Sequence, residues 1–263
     1  MQDKVAIIGG SGVYGLFKKS QKVSMKTPYG KVEDITRAKH KELEIYFLPR
    51  HGPKHSVPPH LINYKANIYA LYELGVSHIF ATNAVGSIDS SINPGDFVIP
   101  DQIIDMTRHR PLTYFDGQTK IQFSDGTTRQ GVVHLDYTNP YCPKLRTQYI
   151  RAVEDTGGMV HTKGVYVCTD GPRFETPAEI IMFQKMGGTV VGMTTVPEAI
   201  LARELKMCYA TLCLITNYGA GMQKKITHEE VVELFKEKTN TIKEIMKKVI
   251  AQDILDIQCD CRG

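Results

Sequence analysis

The chain has 263 residues, 23% of them charged, and a formal net charge of +4 at pH 7. This length predicts a single domain, 1–263, rather than two small ones. Lys and Arg are spread along the chain, which argues against a nucleic-acid partner, whereas a mild positive balance suits anionic substrates. No apolar stretch approaches the ~20 residues of a membrane helix. The N-terminus lacks a secretory pattern, so we expect no membrane partner and a cytoplasmic location.

Apolar runs alternate with helical patterns along the chain, and several runs are continuous, as in strands buried on both faces. The predicted strands are 4–8, 43–49, 77–85, 96–105, 164–170, 189–194 and 208–216. The predicted helices are 60–75, 141–157, 176–187, 195–206 and 227 to about 254. This alternation predicts a mixed α/β sheet. The stretch 106–140 carries no predicted element, and loops of this length are usually functional, an interface or mobile.

Two of the predicted helices carry start signals. Thr176 precedes Pro177, a pair typical of an N-cap followed by the first helical residue. Thr227 and Glu230 have the spacing of a capping box. We therefore expect helices to begin immediately after both threonines.

A glycine-rich turn, GSGVYG at 10–15, follows the first strand. It matches the dinucleotide-binding pattern, but that motif requires a following helix, and 16–34 has no convincing helical pattern. The turn's backbone N–H groups and the Ser11 hydroxyl also suit a single phosphate. A plain tight turn is the third alternative.

The segment LPRHGPKHSVPPH, 48–60, places Arg50 and His51 at the end of a strand. Its three histidines raise the question of a metal, but its prolines forbid the helix that would align His51 with His55. Arg50 argues further against a cation and suits an anion, since a guanidinium offers a bidentate fork to phosphate oxygens. Solvated loop charges remain an alternative.

Other strands end in polar groups. ATNAVGS (81–87) contains Asn83 and Ala84, and GMTTVPE (192–198) puts Thr194 just before a helix, both natural anion contacts. Phe174 and Glu175 precede another helix and fit a flat heterocycle with an N–H donor, although Glu175 could simply cap that helix. Because ligands bind at the carboxyl ends of strands, these groups together indicate one site.

The segment CLITNYGAG, 213–221, ends a buried strand on Asn217. An aspartate there would only accept hydrogen bonds, whereas an asparagine donates and accepts. If Asn217 faces a ligand, that ligand carries both kinds of group.

Taken together, IIGGSG, PRHG, NAVGS, GPRFET, GMTTVPEA and ITNYGAG resemble the trimer-based branch of the purine nucleoside phosphorylase and methylthioadenosine phosphorylase family, from Val5 to about Ile250. The resemblance implies one α/β domain with a mixed, barrel-like central β-sheet flanked by helices. It also implies cleavage of the N-glycosidic bond of purine nucleosides, with inorganic phosphate as co-substrate and neither cofactor nor metal.

The same resemblance assigns roles to residues of this chain. The implied phosphate site is Ser11, Arg50, His51, Asn83, Ala84 and Thr194. The implied nucleoside contacts are Met193 under the ribose, Phe174, Glu175, Asn217, Tyr218 and Gly219 around the base, and His228 at the 5′ substituent. The implied catalytic residues are Asn217, His51 and Arg50.

Three of these positions favour inosine and guanosine as substrates. Members specific for 6-aminopurines resemble Thr-Asp-Tyr-Asp where this chain has Asn217 and Gly219, so both acids are absent. Glu175 fits the N1–H of a 6-oxopurine, and His228 fits a 5′-hydroxyl. The alternatives are a 5′-methylthioadenosine or 5′-methylthioinosine phosphorylase, a nucleotide-sensing protein without turnover, and an NAD-dependent oxidoreductase.

The resemblance also implies a homotrimer or homohexamer in which a neighbour's loop closes the sugar pocket, and 106–140, including His134, could supply that loop. The cysteines are 142, 168, 208, 213, 259 and 261. Free thiols, disulfides and a zinc site are all open, although CxC spacing is poor for a zinc finger. The CxC in the tail 255–263 resembles endings that accompany disulfides in members from heat-loving archaea. Cys208 and Cys213 should face opposite sides of one strand and pair with different partners.

Overall fold

The computed structural model describes residues 4–9, 20–53, 56–224, 227–252 and 259–262, without the side chains of His228 and Arg262. The strands are β1 (Lys4–Gly9), β2 (Gln21–Thr27), β3 (Gly30–His40), β4 (Leu43–Pro49), β5 (Val76–Ser87), β6 (Phe97–Val98), β7 (Gln102–Asp105), β8 (Lys120–Gln122), β9 (Thr128–Gln130), β10 (Val160–His161), β11 (Val165–Cys168), β12 (Val190–Gly192) and β13 (Cys208–Tyr218). The helices are α1 (Tyr64–Glu73), α2 (Pro143–Glu154), α3 (Pro177–Lys185), α4 (Thr195–Glu204) and α5 (His228–Ala251).

Eleven strands form one mixed sheet in the order β10-β6-β13-β5-β1-β4-β3-β2, with β12, β11 and β7 branching from β5. The four central strands β13, β5, β1 and β4 are mutually parallel. At one side, β4, β3 and β2 continue as antiparallel neighbours. The predicted mixed α/β fold is confirmed.

Helices cover both faces of the central strands because those strands are apolar on both faces. Ile8 of β1 packs in a cluster that includes residues of α1 and α4. Its neighbour Ile7 packs on the other face, in a cluster that includes residues of α2 and α5. This two-sided burial explains why continuous apolar runs predicted these strands.

The two predicted helix starts are confirmed. Thr176 accepts a hydrogen bond from the backbone N–H of Glu179 at the start of α3, which completes a capping box. Thr227 makes the same contact with Glu230 at the start of α5.

Some predicted bounds are wrong. The predicted strand 96–105 is two strands, β6 and β7, on either side of Pro100, which has no N–H to donate to a ladder. The predicted helix 60–75 begins only at Tyr64, where the Asn63 side chain accepts from the backbone N–H of Ala66. Strands β2 and β3 were not predicted, and 106–140 contains the small β8–β9 hairpin.

The structure contains no disulfide, and all six cysteines are free thiols. The sulfur atoms of Cys208 and Cys259 are 3.3 Å apart, well beyond the ~2.05 Å of an S–S bond. The implied disulfides are therefore not formed here. The opposite facing of Cys208 and Cys213 is confirmed, since they pack in different clusters.

Among the described residues, no helix has both the length and the apolar character needed to span a bilayer.

Candidate active site

The carboxyl ends of the four parallel central strands form one edge of the sheet. Ile8 pairs with Ala81, so β5 continues past the end of β1 at Gly9. Asn83 and Ala84 therefore lie at this edge although they are inside β5. Ala84 is the one exposed residue in the burial pattern of that strand. One exposed residue in an otherwise buried strand indicates that a ligand can reach this edge of the sheet.

Arg50 follows β4 at the same edge, and its backbone N–H donates to the carbonyl of Gly9. Its guanidinium is buried, and Nε and Nη2 donate to the two carboxylate oxygens of Glu198 at 2.5 and 2.9 Å. Nη1 donates to the carbonyl of Thr82 at 2.8 Å. The fork predicted to face an anion thus holds Glu198, and two of the five N–H donors of a guanidinium are left for another acceptor.

Electrostatics keep Arg50 charged. Burial lowers its pKa, but the Glu198 carboxylate more than offsets this, and the pKa lies above its ordinary value. The Tyr209 hydroxyl donates to the same carboxylate at 2.7 Å. Arg50 therefore stays charged as one half of a buried ion pair with Glu198.

His51 follows Arg50 and is half-buried. Its Nδ1 lies 2.8 Å from the carbonyl of Val57. A carbonyl only accepts, so Nδ1 carries the proton and the ring orientation is fixed. Ser11, the other residue predicted near this position, lies outside the described residues.

A chain of short hydrogen bonds joins β5, β13 and the start of α4 at this edge. The Thr194 hydroxyl donates to Asn83 Oδ1 at 2.6 Å, and Asn83 Nδ2 donates to the Thr211 hydroxyl at 2.5 Å. Thr194 is the N-cap of α4, but its side chain makes no capping bond. The N-terminus of α4 therefore has no side-chain cap from Thr194, and the positive end of its helix dipole, which favours anions, lies at this edge.

Arg110 comes from the long stretch 106–140 and is buried beside the site. It donates to the carbonyls of Met193, Thr169 and Asp170. Its guanidinium thus joins the segment after β12 to the segment after β11. Sequence reasoning did not identify this role, and a lone arginine in an irregular stretch gives no signal for it.

Met193 and Gly171 are in close contact. Gly171 has φ +64°, and a Cβ built there would lie 2.4 Å from the Met193 sulfur. Only glycine fits this turn against Met193. The contact holds the Met193 side chain beside the 169–175 segment.

Glu175 lies between these turns and α3. The Thr169 hydroxyl donates to Glu175 Oε1 at 2.9 Å. Burial raises the pKa of this carboxyl above its ordinary value. Because Thr176 and Glu179 already form the capping box of α3, Glu175 is not needed as a cap. Phe174 beside it is half-buried.

Asn217 lies at a β-bulge, where the register of β13 with β5 shifts between Ile215 and Asn217. Its Oδ1 accepts from the Thr216 hydroxyl at 2.9 Å, and its Nδ2 donates to the Tyr218 carbonyl at 2.8 Å. Half of the amide's hydrogen-bonding capacity remains, one N–H and one lone pair. Asn217 pairs with Gly86, which in turn pairs with Val191 of β12.

The next two residues fix the backbone after Asn217. The Tyr218 hydroxyl donates to Asn93 at 2.8 Å. Gly219 lets α3 approach, since a Cβ there would lie 2.9 Å from Ile180 Cδ1. His228 begins α5, but its side chain lies outside the described structure. His134 is exposed in this chain.

Among the described site residues, Glu198 is the main one that sequence reasoning missed. It lies inside the quoted motif GMTTVPE, and a carboxylate just before the apolar run AILA of the predicted helix is the signal that the sequence offers. Its partner Arg50 is 148 residues away in sequence.

Comparison with known proteins identifies the family. A model of the phosphorylase superfamily matches residues 4–251. A 6-oxopurine nucleoside phosphorylase of Pyrococcus furiosus is 51% identical over 261 residues, covering 98% of this chain and 96% of that protein. A probable S-methyl-5′-thioinosine phosphorylase of Methanothermobacter thermautotrophicus is 48% identical, covering 98% and 87%.

Comparison with a solved structure supports the same family. Methylthioadenosine phosphorylase from Schistosoma mansoni in complex with adenine superimposes with a TM-score of 0.86 at 33% identity, covering 95% of this chain and 91% of that one. The chain belongs to the phosphorylase superfamily, among its nucleoside phosphorylases, as the resemblance of its motifs implied.

Proposed function

We propose that this protein is an enzyme of purine salvage that cleaves 6-oxopurine nucleosides, inosine and guanosine, by phosphorolysis. A phosphate oxygen forms a bond to C1′ of the ribose while the C1′–N9 bond breaks. The bonding electrons leave with the purine, which takes up a proton from solvent. The products are the free base and ribose 1-phosphate.

The phosphate half of the reaction is supported by three features at one sheet edge. They are the charged guanidinium of Arg50, the fixed ring of His51 and the uncapped N-terminus of α4 beside Thr194. Ala84 is the exposed position in β5, and the buried Asn83 lies beside it. A phosphate held here would stabilise the positive charge that develops on the ribose. Because that charge develops only as the transition state forms, the stabilisation is stronger there than in the bound substrate and lowers the barrier.

Recognition of the base depends on Asn217. The choice of a 6-oxopurine rests on one observation, the hydrogen-bonding groups that the Asn217 amide has left. This amide retains one N–H and one lone pair. The N–H can donate to the 6-oxo group, and the lone pair can accept the N7–H of the departing hypoxanthine or guanine once N7 is protonated, whereas adenine protonated at N7 would present two donors. A donor near N7 or O6 stabilises the negative charge that develops on the base. Glu175, on the segment joined to β12 through Thr169, would accept the N1–H. Phe174, Met193, Tyr218 and Gly219 complete the proposed nucleoside site.

A second candidate activity depends on the substituent at the 5′ position of the ribose. The relative from Methanothermobacter is named for a 5′-methylthio nucleoside that has a 6-oxopurine base. This chain has His228 at the proposed 5′ contact, and an imidazole hydrogen-bonds a hydroxyl better than a thioether. We therefore propose inosine as the better substrate and 5′-methylthioinosine as the second.

The proposed assembly is a homotrimer or homohexamer. The irregular stretch bears the exposed Val132, α3 bears the exposed Ile181 and Met182, and its C-cap is the exposed Met186. Exposed apolar groups of this size suit contact with another copy of the chain. Light scattering coupled to gel filtration distinguishes three copies from six. The cytoplasmic location stays a proposal, and six free thiols suit a reducing compartment.

The test is a panel of four nucleosides with phosphate present: inosine, adenosine, 5′-methylthioinosine and 5′-methylthioadenosine. The proposal predicts that both 6-oxopurine nucleosides exceed their 6-amino counterparts in kcat/KM, and that inosine exceeds 5′-methylthioinosine. Faster release of adenine than of hypoxanthine would contradict the assigned roles of Asn217 and Glu175.

A further inference from the structure

Four of the six cysteines, from three distant parts of the sequence, lie close together in the structure. The sulfur atoms of Cys142, Cys208, Cys259 and Cys261 all lie within 4.8 Å of one another. Cys142 is the N-cap of α2, Cys208 is the first residue of β13, and the other two lie on the 259–262 segment. Three separate parts of the fold thus contribute to one cluster of thiols.

The arrangement fits four ligands around a single ion. Zinc bound by four cysteines is tetrahedral with Zn–S bonds of about 2.3 Å, so the six sulfur–sulfur edges are about 3.8 Å. Here all six separations are at most 4.8 Å, and one of them, Cys208 to Cys259, is 3.3 Å. The sulfurs need to move by less than about 1 Å relative to one another to reach that geometry.

The cluster is largely closed to solvent, and two features beside it favour thiolates. Cys142, Cys208 and Cys261 are buried, and Cys259 packs against the same apolar cluster. Arg203 Nη2 lies 3.6 Å from the Cys261 sulfur and donates to it. Cys142 lies at the N-terminus of a 12-residue helix, where the helix dipole favours negative charge. A closed site with an outer-shell donor to a ligand is typical of structural zinc.

We propose that Cys142, Cys208, Cys259 and Cys261 bind one Zn²⁺ ion, which fastens the 259–262 segment to β13 and α2. Four thiols lose four protons and the ion takes four Zn–S bonds, with no change of oxidation state. The unfavourable CxC spacing ceases to be an objection, since Cys142 and Cys208 supply the other two ligands. This site is separate from the proposed nucleoside site and does not depend on the activity.

Two disulfides within the cluster are the competing arrangement. They would require only two short sulfur–sulfur separations, whereas here all four sulfurs are mutually close. The Arg203 guanidinium beside Cys261 also stabilises a thiolate more than a neutral disulfide sulfur. The metal therefore accounts for more of the geometry.

The experiment measures bound zinc in the full-length protein, purified with a non-chelating reductant after expression in zinc-supplemented medium. Cys208→Ala and Cys261→Ala each remove one proposed ligand. Cys213→Ala is the matched control, because Cys213 lies on the same strand, is equally buried and is outside the cluster. We expect one zinc per chain in the wild type and the control, and at least a tenfold loss of zinc from the other two.

A second measurement uses only the wild-type protein, in case the variants fail to fold. Zinc X-ray absorption should report four sulfur ligands at about 2.3 Å. Intact mass of the denatured, metal-free chain should show all six cysteines reduced. Nitrogen or oxygen ligands, no stoichiometric zinc after Zn²⁺ is added to the reduced protein, or disulfides within the cluster would each overturn the proposal.

Discussion

Arg50 and Glu198 are joined by two parallel hydrogen bonds inside the protein, with both side chains almost fully buried. The carboxylate fixes the plane of the guanidinium, so the remaining N–H groups point in a set direction. Arg50 leaves a strand end and Glu198 lies in the first turn of α4. The pair therefore ties the two sides of the proposed phosphate site together.

Glu198→Gln tests this pair. The substitution keeps the shape but leaves a buried guanidinium without its counter-charge, and breaking buried pairs costs about 3–5 kcal/mol of unfolding free energy. We expect a loss of that order by urea denaturation, together with a higher KM for phosphate. Glu204→Gln is the control: Glu204 is also buried on α4 but accepts from Thr113 and Tyr114. It should lower stability without changing the phosphate KM. Equal phosphate KM values in the two variants would contradict the role given to the pair.

Asn217→Asp tests the choice of base. The carboxylate cannot donate, and losing one donor to a developing charge costs about 10²–10³-fold in kcat. We expect a fall of that size with inosine and a shift of relative activity toward adenosine. Asn93→Asp makes the same change where the amide oxygen only receives the Tyr218 hydroxyl, so its inosine kcat should stay near wild type. A comparable loss in both variants would mean that Asn217 acts only through structure.

The raised pKa of Glu175 predicts that activity depends on pH. Its pKa is raised above the ordinary 4.5 by burial, and the ionised form is the acceptor for N1–H. The kcat/KM for inosine should therefore rise with pH through this raised pKa. Glu175→Gln should lower kcat/KM about 10–100-fold, as for a lost charged hydrogen bond, and remove that limb. Glu179→Gln is the control, because hydrogen bonds from Arg173 hold the pKa of Glu179 at about 2.

Stability should change with pH in a matching way. A carboxyl whose pKa is raised by folding contributes stability below its unfolded pKa, and that contribution is lost as the pH rises through the folded pKa. The unfolding free energy of Glu175→Gln relative to wild type should therefore increase from pH 4 to pH 8. A difference that is constant over this range would contradict the burial of the ionised carboxylate.

Gly171→Ala tests the contact with Met193. The new Cβ would meet the Met193 sulfur in a turn with positive φ, so Met193 must move. We expect a KM for inosine several-fold higher and a loss of about 1 kcal/mol in stability. Gly187→Ala has a similar φ of +86° but nothing within 4 Å of the added atom. It should share the loss of stability and leave the KM unchanged. A raised KM in both variants would remove the contact as the cause.

Much of the sheet follows from local sequence. β1, β4, β5 and β13 are buried on both faces, and their apolar runs identify them. β2 and β3 escaped prediction because their residues alternate in burial and carry many charges, as in QKVSMKT, on the exposed side of the sheet. The strand propensity of its residues also does not predict that β6 pairs with β13.

The candidate site, like the sheet, is only partly predictable from the sequence. Polar residues at strand ends are visible in sequence, since the topology of parallel strands brings such ends together. The partner of Arg50 is not visible, because the pairing arises only when α4 packs on the sheet. Arg110 likewise lies 59 or more positions from the carbonyls that it binds, and the three chain segments of the four-cysteine cluster are 51 or more positions apart, so only the tertiary fold brings them together.

The most direct measurement is hypoxanthine release from inosine by the purified protein, with and without inorganic phosphate, with ribose 1-phosphate measured as the second product. The account predicts release only with phosphate, and one ribose 1-phosphate for each hypoxanthine. Equal release without phosphate, or free ribose as the product, would contradict phosphorolysis and the phosphate site proposed around Arg50, His51 and Thr194.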